Sequence, residues 1–545
     1  MRAKLQEYPI RQYFLPFCTI FMVLIGVCQR WYWTVNGRMP FNSDEAVVGL
    51  MARHILAGER PVFFYGQAYM GSLDAWLNAI AFQLFGESIS TMRGLQIFLW
   101  LGLLVSIFIL AEKIQKSNRA GWWTVFLLSL PPVNVVLYTT VSLGGYNEAL
   151  ILGIWSLNLA VEVHQRRAQR DGLLGYIPIF ILGLLGGFGL WAFGFSLLFS
   201  IPATLFTLAV IWKFHQVTSS KVILSGLLLL GSMIGAYPWI AYAVNHGLGG
   251  LVRELGGSAV AVETAGVLMT TGLHLVGFIL LGVPAALGFR PPWTTQWLLL
   301  PLIPVVLFLW FWLLVRAFKY AEKKVYLFLL AAPVGLLFLV FILSSFGIDP
   351  SGRYFLPISI LLPIIGGSVL AQLEQTKPGF AWAIAGLLIL YQGGGSIQAE
   401  KMSPAGLTTQ FAPHTEIEHG QLEAVMQFLD EHDETTGFTT YWISYPMAFL
   451  SNEELIFIPR LPYHQDFRYT ARDDRYPPYT DRVGTSDRIA LVTHQFPALD
   501  SQIRALLQKE SLIWQEHTIA GYTIFYDLSG TLPITSLEEI YQNAQ

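Results

Sequence analysis

The chain has 545 residues, of which 54% are hydrophobic and only 13% charged, with a formal net charge of −3. So apolar a composition excludes an ordinary soluble enzyme, and nothing in it calls for a nucleic-acid partner. The charge is unevenly spread: from Glu400 onward there are 9 Lys+Arg against 21 Asp+Glu, and before it 24 against 15, which reads as an acidic soluble domain on a basic membrane body.

The first apolar run, 13–30, is long enough to cross a bilayer core of ~30 Å and reads as a retained span. It holds both cysteines, Cys18 and Cys28, which lie ~15 Å apart on one helix and cannot pair with each other. The next stretch, 31–90, is too long for a turn. Two amphipathic helices are predicted within it, 43–57 and 70–84, lying on the membrane and joined by AGERPVFFYGQAYMG. Further apolar runs follow at 92–111, 121–140, 147–163, 174–192, 194–212, 222–243, 296–315, 325–346, 354–373 and 378–395. Residues 1–395 are therefore expected to form a polytopic all-α membrane domain of about eleven transmembrane helices.

Basic clusters set its orientation. Arg2, Lys4 and Arg11, then Lys113, Lys116 and Arg119, then Arg166, Arg167 and Arg170, then Lys213 and Lys221, then Arg316, Lys319, Lys323 and Lys324, and last Lys377 all fall on one side if 267–289 does not span. That side is read as the cytoplasm. The loop with Asp44 and the region 396–545 then lie outside, on a multi-pass protein of the cell (inner) membrane. In 396–545, GFTTYWISYPMAFL, ELIFIP, RIALVTH and AGYTIFYDL read as strands, and HGQLEAVMQFLDEH and LDSQIRALLQKES as helices. A C-terminal soluble α/β domain is expected.

Several polar residues stand out in the outer loops. Asp44 and Glu45 follow Asn42-Ser43 in FNSDEAVVGLMARHIL. Ser43 can cap the helix and the acids can answer its dipole; alternatively a carboxylate at the membrane–water boundary can act as a general base. Glu148 in SLGGYNEALILG opens the fourth predicted span, where an acid is costly unless used or set against a helix N-terminus. Gly144 and Gly145 before it permit close backbone approach. In GIDPSGRYFLPI, Arg353 and Tyr354 begin a helix whose backbone N–H groups would favour a lipid phosphate, with snorkelling to headgroups as the alternative. Arg290 in GFRPPW is a second candidate for such a phosphate. Tyr65, Gln67, Tyr69 and Asp74 place hydrogen-bonding groups among aromatics, suited to sugar rings or to an interfacial belt, and His54 lies on the first surface helix. There is no Walker A sequence, HExxH, CxxC or dinucleotide fingerprint. No cofactor is implied, although a divalent metal is compatible with the chain.

These residues, in this order, resemble the polytopic glycosyltransferases of the GT-C superfamily, close to the family-39 mannosyltransferase-like and aminoarabinose-transferase-like bacterial proteins. SDEA at 43–46, GERPVFFYGQAYMGSL at 58–73, GGYNEALILG at 144–153 and SGRYFLPI at 351–358 carry the resemblance. It covers about 10–395 and is most specific in the first outer loop. It implies an inverting transferase that takes a sugar from a polyprenyl-phosphate donor to a glycan, lipid or protein acceptor outside the cytoplasm, among membrane lipids. Asp44 would then be the catalytic base. Glu148 would be a second acid, where relatives carry Asp. Glu45 or Glu148 would orient the acceptor or the sugar hydroxyls, and Arg353 would neutralise the departing phosphate. Two other classes compete: a lipid or solute transporter, which would favour acids at mid-bilayer and inverted repeats, and a non-catalytic scaffold with a sensory outer domain.

Overall fold

The computed structural model describes residues 10–166, 176–214, 216–256, 267–320, 324–349 and 351–542. The basic residues Arg2, Lys4, Arg167, Arg170 and Lys323 lie outside them. Packing divides the chain into two compact units. One comprises Met1–Trp33, Arg93–Thr140 and Gly145–Met402, and the other Thr34–Met92, Val141–Gly144 and Ser403–Gln545.

The first unit is helical. Among the described residues, nine helices are long and apolar enough to cross a membrane: Tyr13–Val35, Ile89–Gln115, Gly194–Phe214, Thr218–Gly235, Leu268–Ala286, Leu300–Lys319, Lys324–Leu343, Arg353–Thr376 and Pro378–Lys401. Eight of them fall on predicted spans. The run 121–140 does not form one helix: it stops at Leu128 and resumes at Val133, because Pro131 and Pro132 cannot continue the hydrogen-bond ladder. The run 147–163 does form a helix, Tyr146–Arg166, but Glu148, Asn158 and Glu162 make it more polar than the nine. The run 174–192 gives Ile177–Ala192, apolar but only 16 residues long. The segment expected not to span differs most. Val267–Gly277 continues through a π-turn at Phe278–Gly282 into Val283–Ala286, a continuous helix with the length and composition of a span.

Ile177–Ala192 packs closely on Thr218–Gly235 through glycines spaced four apart on each. A Cβ on Gly183 would lie 2.1 Å from the Leu228 carbonyl oxygen, and one on Gly187 2.0 Å from that of Ser232. Reciprocally, Gly231 and Gly235 face the carbonyls of Phe180 and Leu184 at 2.3 and 2.1 Å. Small residues at this spacing let two backbones meet where no hydrophobic force separates helix from lipid.

The second unit joins the first loop to the C-terminal region. Helix Ser43–Leu56 is followed by a hairpin, β1 (Phe63–Phe64) and β2 (Gln67–Gly71), and by helix Leu73–Phe85. Both helices match the prediction within a few residues. A five-stranded sheet follows: β3 (Thr436–Thr440), β4 (Ile456–Leu461), β5 (Ala490–His494), β6 (Gln515–Ile519) and β7 (Tyr522–Tyr526), in the order β4-β3-β5-β7-β6. The pairs β4–β3 and β3–β5 are parallel; β5–β7 and β7–β6 are antiparallel. β6 carries exposed polar residues and has no apolar alternation to announce it. GFTTYWISYPMAFL is a strand only as far as Thr440; Tyr441–Leu450 is a helix, buried on nearly every side. Burial on all faces removes the periodicity that would separate helix from strand in the sequence.

Ile443 and Met447 of that helix, with Leu422, Val425 and Leu429 of helix His419–Glu431, cover Phe457, Ala490, Val492 and Ile524 on one face of the sheet. Helix Ser43–Leu56 meets Tyr441–Leu450 so closely that a Cβ on Gly49 would stand 2.6 Å from the Phe449 ring. The loop that carries Asp44 is thereby fixed to the α/β domain.

Candidate active site

Helix Ser43–Leu56 is capped by Asn42, not by Ser43 as expected. Asn42 is extended (φ −98°, ψ 170°), and its side chain accepts the Glu45 N–H at 3.0 Å. Ser43 donates its hydroxyl to the Tyr441 carbonyl instead. Glu45 is fully buried. The half-buried Asp44 points at the α/β domain, where its Oδ1 accepts the Tyr441 hydroxyl at 2.6 Å.

Arg475 stands behind Tyr441. Its Nη2 lies 3.5 Å from the Tyr441 hydroxyl, and its guanidinium lies over the rings of Tyr441 and Phe64 at 5.2 and 5.9 Å. With its amide oriented by the network, Gln67 accepts both Nη groups at 2.8 Å and donates to the Tyr69 hydroxyl at 3.1 Å. The hairpin turn makes room through Gly66, at φ +72°, where a Cβ would stand 2.8 Å from Arg475 Cδ. The Tyr445 hydroxyl accepts the Arg475 N–H at 2.5 Å and donates to the Asp473 carbonyl at 2.9 Å.

Burial opposes the Arg475 charge, but Tyr441, Asp473 and Asp44 outweigh it and hold its pKa above the ordinary guanidinium value. Burial likewise raises the Tyr441 hydroxyl well above the usual phenol, Arg475 opposing, so Tyr441 is a neutral donor to Asp44. The Asp473 carboxyl is lifted to about 7, chiefly by burial and then by the charge of Asp44, with Arg475 drawing it down.

His54 and Tyr65 belong to a second network. The His54 ring nitrogens meet the Tyr65 hydroxyl at 3.1 Å and Glu453 at 3.0 Å. Tyr65 donates to Glu59 at 2.6 Å, and Tyr479 to Glu453 at 2.6 Å. Burial would raise the Glu453 carboxyl, but hydrogen bonds from His54, Tyr479 and Arg53 bring it down to about 2. Asp74 is buried and accepts from Ser142 Oγ at 2.7 Å and from the Gly144 N–H at 3.0 Å. It thus fastens the loop at 141–144, where Gly144 takes φ +85°.

The remaining candidates lie in the helical unit. Glu148 is buried in the first turn of Tyr146–Arg166, its Oε1 3.4 Å from Gln96 Nε2, and neighbouring Asn147 donates to the Gln96 side chain at 2.8 Å. Arg353 opens a helical turn that runs into Leu356–Thr376, as predicted; it ion-pairs with Asp349 at 2.5 Å and lies 5.0 Å from the ring of buried Tyr354. Arg290 is buried, with Nε on the Leu281 carbonyl and Nη1 on those of Pro291 and Thr294, each at 3.0 Å. It clamps its own loop. Among the described residues, no three His, Cys, Asp or Glu side chains form a metal-holding group.

Sequence reasoning missed Tyr441, Asp473 and Arg475. The only local signal was the density of charge and aromatics in RYTARDDRYPPY at 468–479.

No family model matches the chain, and no curated protein matches it. Solved structures do match its fold. ArnT from Cupriavidus metallidurans bound to undecaprenyl phosphate is similar with a TM-score of 0.58, at 11% identity, over 94% of this chain and 98% of that one. ArnT in the apo state gives 0.56 at 12%, over 93% and 97%. The archaeal oligosaccharyltransferase AglB from Archaeoglobus fulgidus, in complex with an inhibitory peptide and a dolichol-phosphate, gives 0.45 at 12%, over 96% and 75%. At these identities the likeness is one of fold. The chain has a GT-C-like fold: a multi-pass helical membrane domain with a C-terminal α/β domain.

Proposed function

We propose that the chain is an inverting membrane glycosyltransferase that moves a sugar from a polyprenyl-phosphate carrier to an acceptor hydroxyl on the non-cytoplasmic face. One observation carries the reading. Asp44 stands in the first turn of a helix capped by Asn42, and its carboxylate is turned out of that turn to Tyr441 beside a buried arginine. A carboxylate held by one hydroxyl, with its second oxygen available to an incoming group, is equipped to take a proton. The fold shared with ArnT, a protein solved with bound undecaprenyl phosphate, supports a lipid-linked donor.

In this reading Asp44 accepts the acceptor O–H proton as the oxygen attacks the anomeric carbon. The bond from that carbon to the phosphate oxygen breaks on the opposite side, and polyprenyl phosphate leaves with the electron pair. The leaving group needs charge stabilisation more than a proton. Arg353 supplies it, exchanging Asp349 for the phosphate, with Tyr354 beside it and Arg290 as the next candidate. Glu45 or Glu148 orients sugar or acceptor hydroxyls, and Tyr65, Gln67, Tyr69 and His54 line the sugar or acceptor path. The acceptor is a glycan, lipid or protein hydroxyl, and the setting is the cell (inner) membrane.

The test is mass spectrometry of lipids co-purifying with the full chain and with Asp44→Asn, alongside transfer from the extracted lipid-linked sugar. Asn keeps an acceptor oxygen for Tyr441 but cannot take a proton, so the variant should retain the lipid-linked sugar and lose transfer by about 10²–10⁴-fold. Near-normal transfer would remove Asp44 from the chemistry. A transporter would move the lipid without cleaving it, and a scaffold would hold none.

A further inference from the structure

The α/β domain has a feature that the transfer step does not use. After β3 the chain leaves through helix Tyr441–Leu450, on the sheet face that carries Val492, Tyr522 and Ile524. After β5 it leaves through helix Pro497–Lys509, whose Asp500 binds Thr493 and Thr523. Those threonines alternate with Val492 and Tyr522 along their strands, so the second helix covers the opposite face. Parallel neighbours whose connections depart to opposite faces open a crevice at their carboxyl ends, the customary ligand position in such sheets.

Here that crevice lies between Thr440 and His494, and the first residue beyond β3 is Tyr441, the partner of Asp44. Three of its buried polar groups are unsatisfied and a fourth is only partly satisfied. Thr440 is 3% exposed, His494 2% and Tyr522 0%. The Thr440 hydroxyl, the Tyr522 hydroxyl and the Trp442 indole N–H have no hydrogen-bond partner among the described residues, and the His494 ring reaches only the His414 backbone. On β5 and β7 the face opposite His494 and Tyr522 shows the usual outcome, with Thr493 and Thr523 both bonded to Asp500. Burial holds His494 down at about 4, against the pull of a hydrogen bond with the His414 backbone, so its ring is uncharged at neutral pH. Aromatic rings border the group: Tyr441 and Trp442 at 5.0 Å, Trp442 and Tyr463 at 5.8 Å.

We propose that this crevice binds a sugar ring of the acceptor and presents one of its hydroxyls to Asp44. Neutral donors and acceptors beside aromatic faces suit a neutral, hydroxyl-rich ring; a phosphate or a carboxylate would find no unmatched cation among these groups. The proposal rests on the glycosyltransferase reading for the direction of the hydroxyl, but not for the binding itself.

The test is saturation-transfer NMR on the full chain in phosphatidylcholine nanodiscs, which avoid sugar-based detergents. The probes are glucose, galactose, mannose, N-acetylglucosamine and their disaccharides at millimolar concentration. At least one should receive saturation from the wild type. Thr440→Val with Trp442→Phe removes two polar groups and no existing hydrogen bond, so it should weaken that sugar about tenfold without lowering the melting temperature. His494→Gln, which keeps a hydrogen-bonding side chain, should bind more tightly than His494→Leu. No saturation of any probe, as expected of a peptide or simple lipid acceptor, or equal binding by all variants, overturns the proposal. Asp44→Asn separates the two claims: sugar binding with transfer retained would sink the catalytic reading alone, whereas transfer lost without any sugar binding would sink the crevice alone.

Discussion

Asp473 lies beside Arg475 and is 7% exposed. Burial first, and the charge of Asp44 second, lift its carboxyl from the ordinary 3.8 to about 7, against the pull of Arg475. The folded chain therefore holds this proton more tightly than the unfolded chain does. The stability that follows is complete below about pH 4 and is lost as pH rises through about 7, where the folded site must carry a second carboxylate near Asp44. A gap of about three units, at ~1.4 kcal/mol each, amounts to about 4 kcal/mol by pH 8 and less than ~1 kcal/mol at pH 4. Asparagine has the same shape and never ionises. Asp473→Asn should thus stabilise the α/β unit increasingly with pH, by up to about 4 kcal/mol at pH 8, and hardly at all at pH 4. Hydrogen exchange of β3, β5 and β7, followed by mass spectrometry at both pH values, reads this locally without requiring reversible unfolding of a membrane protein. Equal protection of variant and wild type at pH 8, or a less protected variant, would refute the reasoning that burial beside Asp44 keeps Asp473 protonated.

Tyr441→Phe keeps the ring but removes the hydroxyl that holds Asp44; bonds to charged groups contribute ~1.5–3 kcal/mol, so turnover should fall by about 10–100-fold with donor affinity unchanged. Wild-type initial rates at saturating donor would make the contact incidental. Arg353→Lys should retain part of the activity, since the charge survives and the planar fork does not, whereas Arg353→Ala should lose more, mostly in turnover. If the alanine variant matches wild type in donor affinity and rate, Arg353 is serving its ion pair with Asp349 and nothing else. In Gly437→Ala the new Cβ would stand 1.9 Å from the Ala490 carbonyl oxygen, so β3 and β5 must separate; a loss of ~1–3 kcal/mol is expected, seen as faster exchange in both strands.

The sequence by itself determined the elements whose signals are local. Runs of apolar residues announce helices wherever they form, and two amphipathic periods located helices Ser43–Leu56 and Leu73–Phe85 within a few residues. The acid pair at their head could be seen too. Its surroundings could not: the letters do not say which residue caps the helix or what the acids face, and only the structure shows Asn42 as the cap and the Asp44 side chain turned to Tyr441. Proline pairs and dilute polarity, which change where a helix stops or how apolar it is, reshaped 121–140 and 147–163 more than composition foretold. Tyr441 and Arg475 lie about 400 residues from Asp44 along the chain. No local period links positions so far apart; they meet because helix Tyr441–Leu450 begins at Ser43 and Asp44 and lays Phe449 against Gly49 farther along helix Ser43–Leu56. Local patterning chose the elements, and long-range packing chose which side chains share the site.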